Sequence, residues 1–244
     1  MSNEKQKFDG YANKYDEWFM VDAMNITDRL YIAAEINWME SAEKPFPLEM
    51  AEGTLDDSLF KNYMIQDYLY LQDYIVILKK MLELSNDEEV AAFVKNTLDA
   101  IEYETYNVHS ANMKALGVTD ADVESCVRTP VILRYVEYMK NQLEEGGLLY
   151  GLTALLQCSW NYAILGAVLT ERYPDMIAKS KYKSWFDAYT SDEYVGANES
   201  WINLVNKQAA DLPEEEVEKL CEIFRTCSTF ENRFWDALYE YKEN

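Results

Sequence analysis

A single histidine, His109, restricts the chemistry open to this chain and turns attention to its cysteines, tyrosines and carboxylates. Cys158 and Tyr162 stand four residues apart, so on a helix they share one face and can line one pocket. They lie within the 25 residues between Glu145 and Glu171, none of which is charged. A helix that apolar is expected to be buried, and the polar groups at its centre (Gln157, Cys158, Ser159, Asn161 and Tyr162) are costly to bury without partners. A thiol there is a candidate nucleophile, although a cysteine is more often a small core hydrophobe. One histidine argues against serine–histidine hydrolysis and histidine-rich metal sites, and no Glu-x-x-His occurs to build a di-iron site.

The element that positions Cys158 has a competing explanation. Leu148 to Leu169 is long enough for a bilayer, which takes about 20 apolar residues. Its polar centre, two glycines (Gly151 and Gly166) and acidic flanks (Glu144, Glu145 and Glu171) argue instead for the central helix of a soluble domain. The start, MSNEKQKF, lacks an apolar signal core. Eight glycines and five prolines in 244 residues, 49% of them hydrophobic, point to long helices with short connections. A net charge of −22 excludes general electrostatic binding to nucleic acid or an anionic membrane. Cys126, Cys158, Cys221 and Cys227 lack CxxC spacing, so a cytoplasmic chain with free thiols is expected.

The expected fold is all-α. Residues 1–26 read as an N-terminal extension with a short helix at Tyr11–Phe19, and residues 27–244 as one helical domain. Thr27-Asp28 starts a helix to about Ser41, and Lys44-Pro45-Phe46-Pro47 is a break. Asp56-Asp57 opens a long helix to about Leu84. Ser85-x-x-Glu88 has the capping-box pattern and opens a helix ending near Gly117. Thr129-Pro130 opens another, closed by Gly146-Gly147, after which the uncharged helix runs to about Tyr173. Ile177–Thr190, Asp192–Ala210 and Pro213–Tyr241 complete a set without strands.

Four stretches are informative together: Phe60-Lys61-Asn62-Tyr63-Met64-Ile65-Gln66-Asp67-Tyr68-Leu69-Tyr70-Leu71; Pro130-x4-Tyr135; Leu155-Leu156-Gln157-Cys158-Ser159-Trp160-Asn161-Tyr162; and Phe230-Glu231-Asn232-Arg233-Phe234-Trp235. Singly, each has a plainer explanation: Asp67 a solvated-edge residue, Glu231 a surface charge, the tyrosines ordinary core. In this order, with Pro45-Phe46 and Glu52-Gly53-Thr54-Leu55 ahead of them, they resemble the thiaminase II (TenA) family over roughly residues 27–241.

The resemblance implies a haem-oxygenase-like helical bundle, commonly a homo-tetramer, that takes an aminopyrimidine or thiamin without metal or organic cofactor. It implies hydrolysis of the bond from the ring's exocyclic methylene to a leaving amine or thiazolium, giving hydroxymethylpyrimidine for thiamin salvage. By position, Cys158 falls on the nucleophile, Glu231 on the carboxylate facing a ring nitrogen, and Asp67 on the one holding the amino-pyrimidine edge. Tyr70, Tyr135, Tyr162, Tyr189 and Phe234 fall on the pocket, Tyr189 standing four residues after Trp185. A pyrimidine-binding or regulatory homologue without turnover is the alternative. A haem- or di-iron-binding relative would need more histidines.

Two departures bear on the site. Gln157 and Ser159 flank Cys158 where the family often has a proline before and an aromatic after it, and altered packing is expected. His109 lies five residues after Glu104, off by one from the family's usual Glu-to-His spacing, which leaves any supporting role for the two in question and suggests an exposed or capping histidine.

Overall fold

Residues 24–241 are described by the computed structural model, and every regular element within them is helical. The short helix expected at Tyr11–Phe19 lies outside the described residues. Helix α1 (Ile26–Ala42) starts where Asn25 N–H donates to Asp28 Oδ2 at 2.9 Å. The proline-rich stretch expected as a break is itself a helix, α2 (Pro45–Glu52). Pro45 occupies its first position, where a missing N–H costs nothing, so the interruption is confined to the residues before it. Helix α3 (Asp57–Leu84) is capped by Asp56, whose Oδ1 accepts from Ser58 N–H at 2.8 Å.

Helix α4 (Glu88–Tyr103) corrects the expected cap. Asp87 rather than Ser85 accepts from Glu89 and Val90 N–H at 2.8 and 3.1 Å, and Glu88 is already the first helical residue. A carboxylate beside the orphan amides caps them better than a hydroxyl two residues earlier. After Tyr103 the helix widens into a π-helical turn, Glu104–His109, and resumes as α5 (Ser110–Ala115), ending at Gly117 as expected. A short α6 (Asp120–Ser125), capped by Thr119 and Asp122, was not anticipated from the sequence.

Helix α7 (Pro130–Arg172) opens on Thr129-Pro130 and is bent at Gly147, whose φ of 71° and ψ of −156° interrupt it where the glycine pair is expected to end a helix. The helix expected over Ile177–Thr190 is two: α8 (Pro174–Ile177) and α9 (Lys183–Tyr189). Ser180 and Tyr182 break it, their hydroxyls donating to the carbonyls of Met50 at 2.6 Å and Leu55 at 2.9 Å. Helices α10 (Asp192–Gln208) and α11 (Glu214–Tyr239) follow the sequence to within two residues.

The half of α7 after Gly147 is the central helix, contacting α1, α3, α9, α10 and α11 among others. It is long and apolar enough to cross a membrane, yet most of its apolar stretch is buried inside the protein. Trp38, Trp235, Phe46 and Phe224 are fully buried around it. Truncating one such aromatic removes packing on the order of 3–5 kcal/mol.

Candidate active site

Tyr63, Asp67, Tyr70 and Tyr74 recur on α3 at offsets of 4, 7 and 11 residues, which places them on one stripe. That stripe faces α7 and α11, and all four side chains are buried. From α7 come Tyr135 before the bend and Cys158 and Tyr162 after it; from α11 comes Glu231, 2% exposed.

Cys158 and Glu231 meet. The thiol donates toward the Glu231 carboxylate, which raises the thiol's pKa and lowers the carboxyl's, while burial pushes both upward. Burial is the larger effect on Glu231 and lifts it to about 7. Tyr70 lies close enough to the same sulfur to act against burial and favour the thiolate, while its hydroxyl donates to Met139 Sδ at 3.8 Å. Cys158 nevertheless keeps part of its surface exposed although Leu155, Leu156 and Gln157 before it are fully buried.

Around that pair is a wall of aromatic rings. Tyr70 and Tyr135 stack with centroids 5.6 Å apart, and Phe230 continues the stack at 5.3 Å from Tyr135. On the other side Tyr162 packs against Tyr189 at 4.9 Å and Trp235 at 5.8 Å. Trp185 Nε1 donates to the Tyr63 hydroxyl at 3.0 Å. Phe234 packs behind, 6.3 Å from the ring of Tyr63 and 5.8 Å from Trp235.

Asp67 is 5% exposed, and burial first, then Glu104 and Glu231, hold its carboxyl well above the usual carboxylate range. His109 is not an exposed or capping residue: it is 6% exposed, with Nε2 3.3 Å from Asp67 Oδ2. The approach lies off the line of a hydrogen bond, and Nε2 has no other partner. Burial keeps the imidazole neutral, down at about 4, against the opposing pull of a hydrogen bond to the Met64 backbone.

The structure thus gathers Cys158, Glu231, Asp67, Tyr70, Tyr135, Tyr162 and Tyr189 at the meeting of α3, α7, α9 and α11. Sequence reasoning passed over several neighbours. Gln157 does more than alter packing: its Oε1 accepts from the Tyr135 hydroxyl at 2.9 Å and its Nε2 donates to Ser228 Oγ at 3.0 Å. Ser159 bonds Tyr194, whose hydroxyl donates to the Ser159 carbonyl at 3.1 Å. Gln157, a buried amide beside a candidate nucleophile, was the available signal; Tyr74 and Tyr194 had none to separate them from core tyrosines.

Among the described residues no cluster of histidine, cysteine and carboxylate side chains is arranged to hold a metal ion. Two open surface grooves, one bordered by Ile36, Met39 and Lys44 and the other by Gln72, Met113 and Val123, lie away from Cys158.

Comparison with known proteins agrees with this architecture. The aminopyrimidine aminohydrolase of Halalkalibacterium halodurans is 32% identical over 88% of this chain and 96% of its own length. That of Helicobacter pylori is 28% identical over 89% of this chain and 100% of its own. Among solved structures, a TenA homologue from P. horikoshii OT3 superposes with a TM-score of 0.75 at 26% identity, covering 88% of this chain and 99% of that one. Residues 32–241 match the TENA/THI-4/PQQC family as a whole. This chain belongs to that family.

Proposed function

We propose that this protein is an aminopyrimidine aminohydrolase of thiamin salvage, using Cys158 as nucleophile and Glu231 as its proton partner. The substrate is an aminomethylpyrimidine, with thiamin as a second substrate bearing a thiazolium leaving group. The observation that carries the reading is the Cys158 thiol set against a buried carboxyl lifted to about 7, among stacked tyrosine rings. No histidine is needed to activate such a thiol. Its proton passes to Glu231, and the Tyr70 hydroxyl stabilises the thiolate left behind.

The steps balance without a cofactor. The protonated Glu231 gives its proton to a ring nitrogen as the thiolate forms a carbon–sulfur bond to the ring. Electrons returning from the adduct expel the amine, bound in its protonated form, from the methylene carbon as ammonia. Water then adds to that carbon, its spare proton passing to the ammonia, and breaking the carbon–sulfur bond returns the ring-nitrogen proton to Glu231 and restores the aromatic ring, the thiolate and hydroxymethylpyrimidine. Asp67 holds the amino edge, and Tyr135, Tyr162, Tyr189 and Phe234 furnish the flat apolar surround. A cytoplasmic location suits four free cysteines, and a homo-tetramer is part of the same reading.

Cys158→Ala abolishes release of hydroxymethylpyrimidine from aminomethylpyrimidine, and Glu231→Gln lowers kcat by about a hundredfold or more, with the helical circular-dichroism spectrum unchanged. Full turnover by Cys158→Ala removes the nucleophile assignment. Tight pyrimidine binding by the wild-type protein without product favours the non-catalytic binding alternative.

A further inference from the structure

The π-helical turn Glu104–His109 packs against α3, which carries Asp67, and its position has a geometric consequence. On an α-helix, residues five apart are turned about 140° from each other. A π-helical turn holds one more residue, so residues five apart come back toward one face. Glu104 and His109 are the first and last residues of that turn. Both approach Asp67, Glu104 through its charge and His109 through Nε2 at 3.3 Å. The extra residue between them is absorbed by the wide turn.

We propose that His109 is a positioning residue for Asp67, carried to it by this turn, and that the two side chains together hold the one proton with which an amino-pyrimidine edge is received. The inference rests on the pyrimidine-binding reading above.

The surroundings supply the argument. Asp67 is faced by Glu104 from the π-helical turn, Glu231 from α11, and Tyr63 from its own helix. Cys158 and Tyr162 of α7, Tyr189 of α9 and Tyr194 of α10 complete the set. Of these described groups and His109, only His109 can become a cation.

A buried imidazole nitrogen without a partner is costly, and a carboxyl 3.3 Å away is the group placed to satisfy it. With the proton on Asp67, the acid donates to one acceptor and accepts from one amine. When it moves from Oδ2 to His109 Nε2, the carboxylate accepts from donors only. The pair keeps the same net charge, so Asp67 changes its hydrogen-bonding sense without exchanging a proton with water. The resting contact, long and off-line, shortens when a ligand draws Asp67 into register.

His109 is the only histidine, so an untagged protein labelled with ¹⁵N-histidine gives one imidazole spectrum. Asp67→Asn shifts both ring-nitrogen signals and the midpoint of their titration, while the exposed-residue control Glu35→Gln leaves them in place. Deleting Asn107, exposed within the π-helical turn, leaves Glu104 and His109 four residues apart, a spacing that an α-helix places on one face, so the dependence on residue 67 is retained. Unchanged imidazole signals in Asp67→Asn overturn the pairing, whatever the protein turns over.

With aminomethylpyrimidine as ligand, His109→Gln raises KM about tenfold and leaves kcat within about twofold, because glutamine bonds Asp67 but holds no transferable proton. It also changes the protons taken up on binding, read by calorimetry in buffers of different ionisation enthalpy. Wild-type KM and proton uptake in this variant overturn the role. If the wild-type protein itself binds no pyrimidine, the functional reading fails while the imidazole experiment still decides the pairing.

Discussion

Glu231 sits at a tension between stability and chemistry. Its carboxyl, lifted from an ordinary 4.5 to about 7, is harder to ionise in the folded protein than in the unfolded chain. Between those values the native state holds the extra proton, so stability falls as pH rises through this window and levels off above about 7. The full effect is of order 3 kcal/mol at most. Glu231→Gln should therefore be more stable than wild type at pH 8 and nearly equal to it at pH 4, measured by urea denaturation. A constant difference at both pH values would remove this ionisation as its cause. At this scale the sequence was readable where chemistry leaves a type and a spacing: Cys158 with Tyr162, and Asp67 with Tyr70. It was not readable for His109, because the rule that places residues five apart on different faces assumes an α-helix.

At the scale of elements, the sequence marked most helix starts, since caps such as Asp56 and Thr129 act locally and leave a signature. It misjudged elements decided at a distance. The stretch from Ile177 to Thr190 is apolar enough for one helix, but Ser180 and Tyr182 bond α2 and its following turn instead. Gly147 is a case where local signal and outcome agree. Its backbone lies in a region open essentially to glycine alone, and no atom crowds the position a Cβ would take. Gly147→Ala then costs about 1–3 kcal/mol through backbone strain alone. Chemical denaturation measures it, and a neutral substitution would mean that the bend is not imposed by this residue.

For the whole molecule, family membership leaves the assembly to be measured. Ile32 and Ile36 follow one another by a turn on the outer side of α1, 50% and 74% exposed, and Leu133 at the start of α7 is 52% exposed. Apolar surface of this kind suits contact between copies of the chain. The tetramer predicts a light-scattering mass of roughly 114 kDa, four times the 28.5 kDa chain. A single 28.5 kDa species at micromolar concentration would count against it. Each chain brings a net charge of −22 to the assembly, so salt concentration belongs in the measurement.

The bond from Trp185 to Tyr63 has an optical consequence. The Trp185 indole also packs 4.6 Å from Tyr189 and 5.9 Å from Tyr162, two of the rings proposed to meet the substrate. Indole emission depends on the dipoles and rings against which it packs, so a planar guest among these tyrosines alters the fluorescence of a tryptophan already in place. Occupancy of the site can then be followed in solution, without a dye and before any bond is broken.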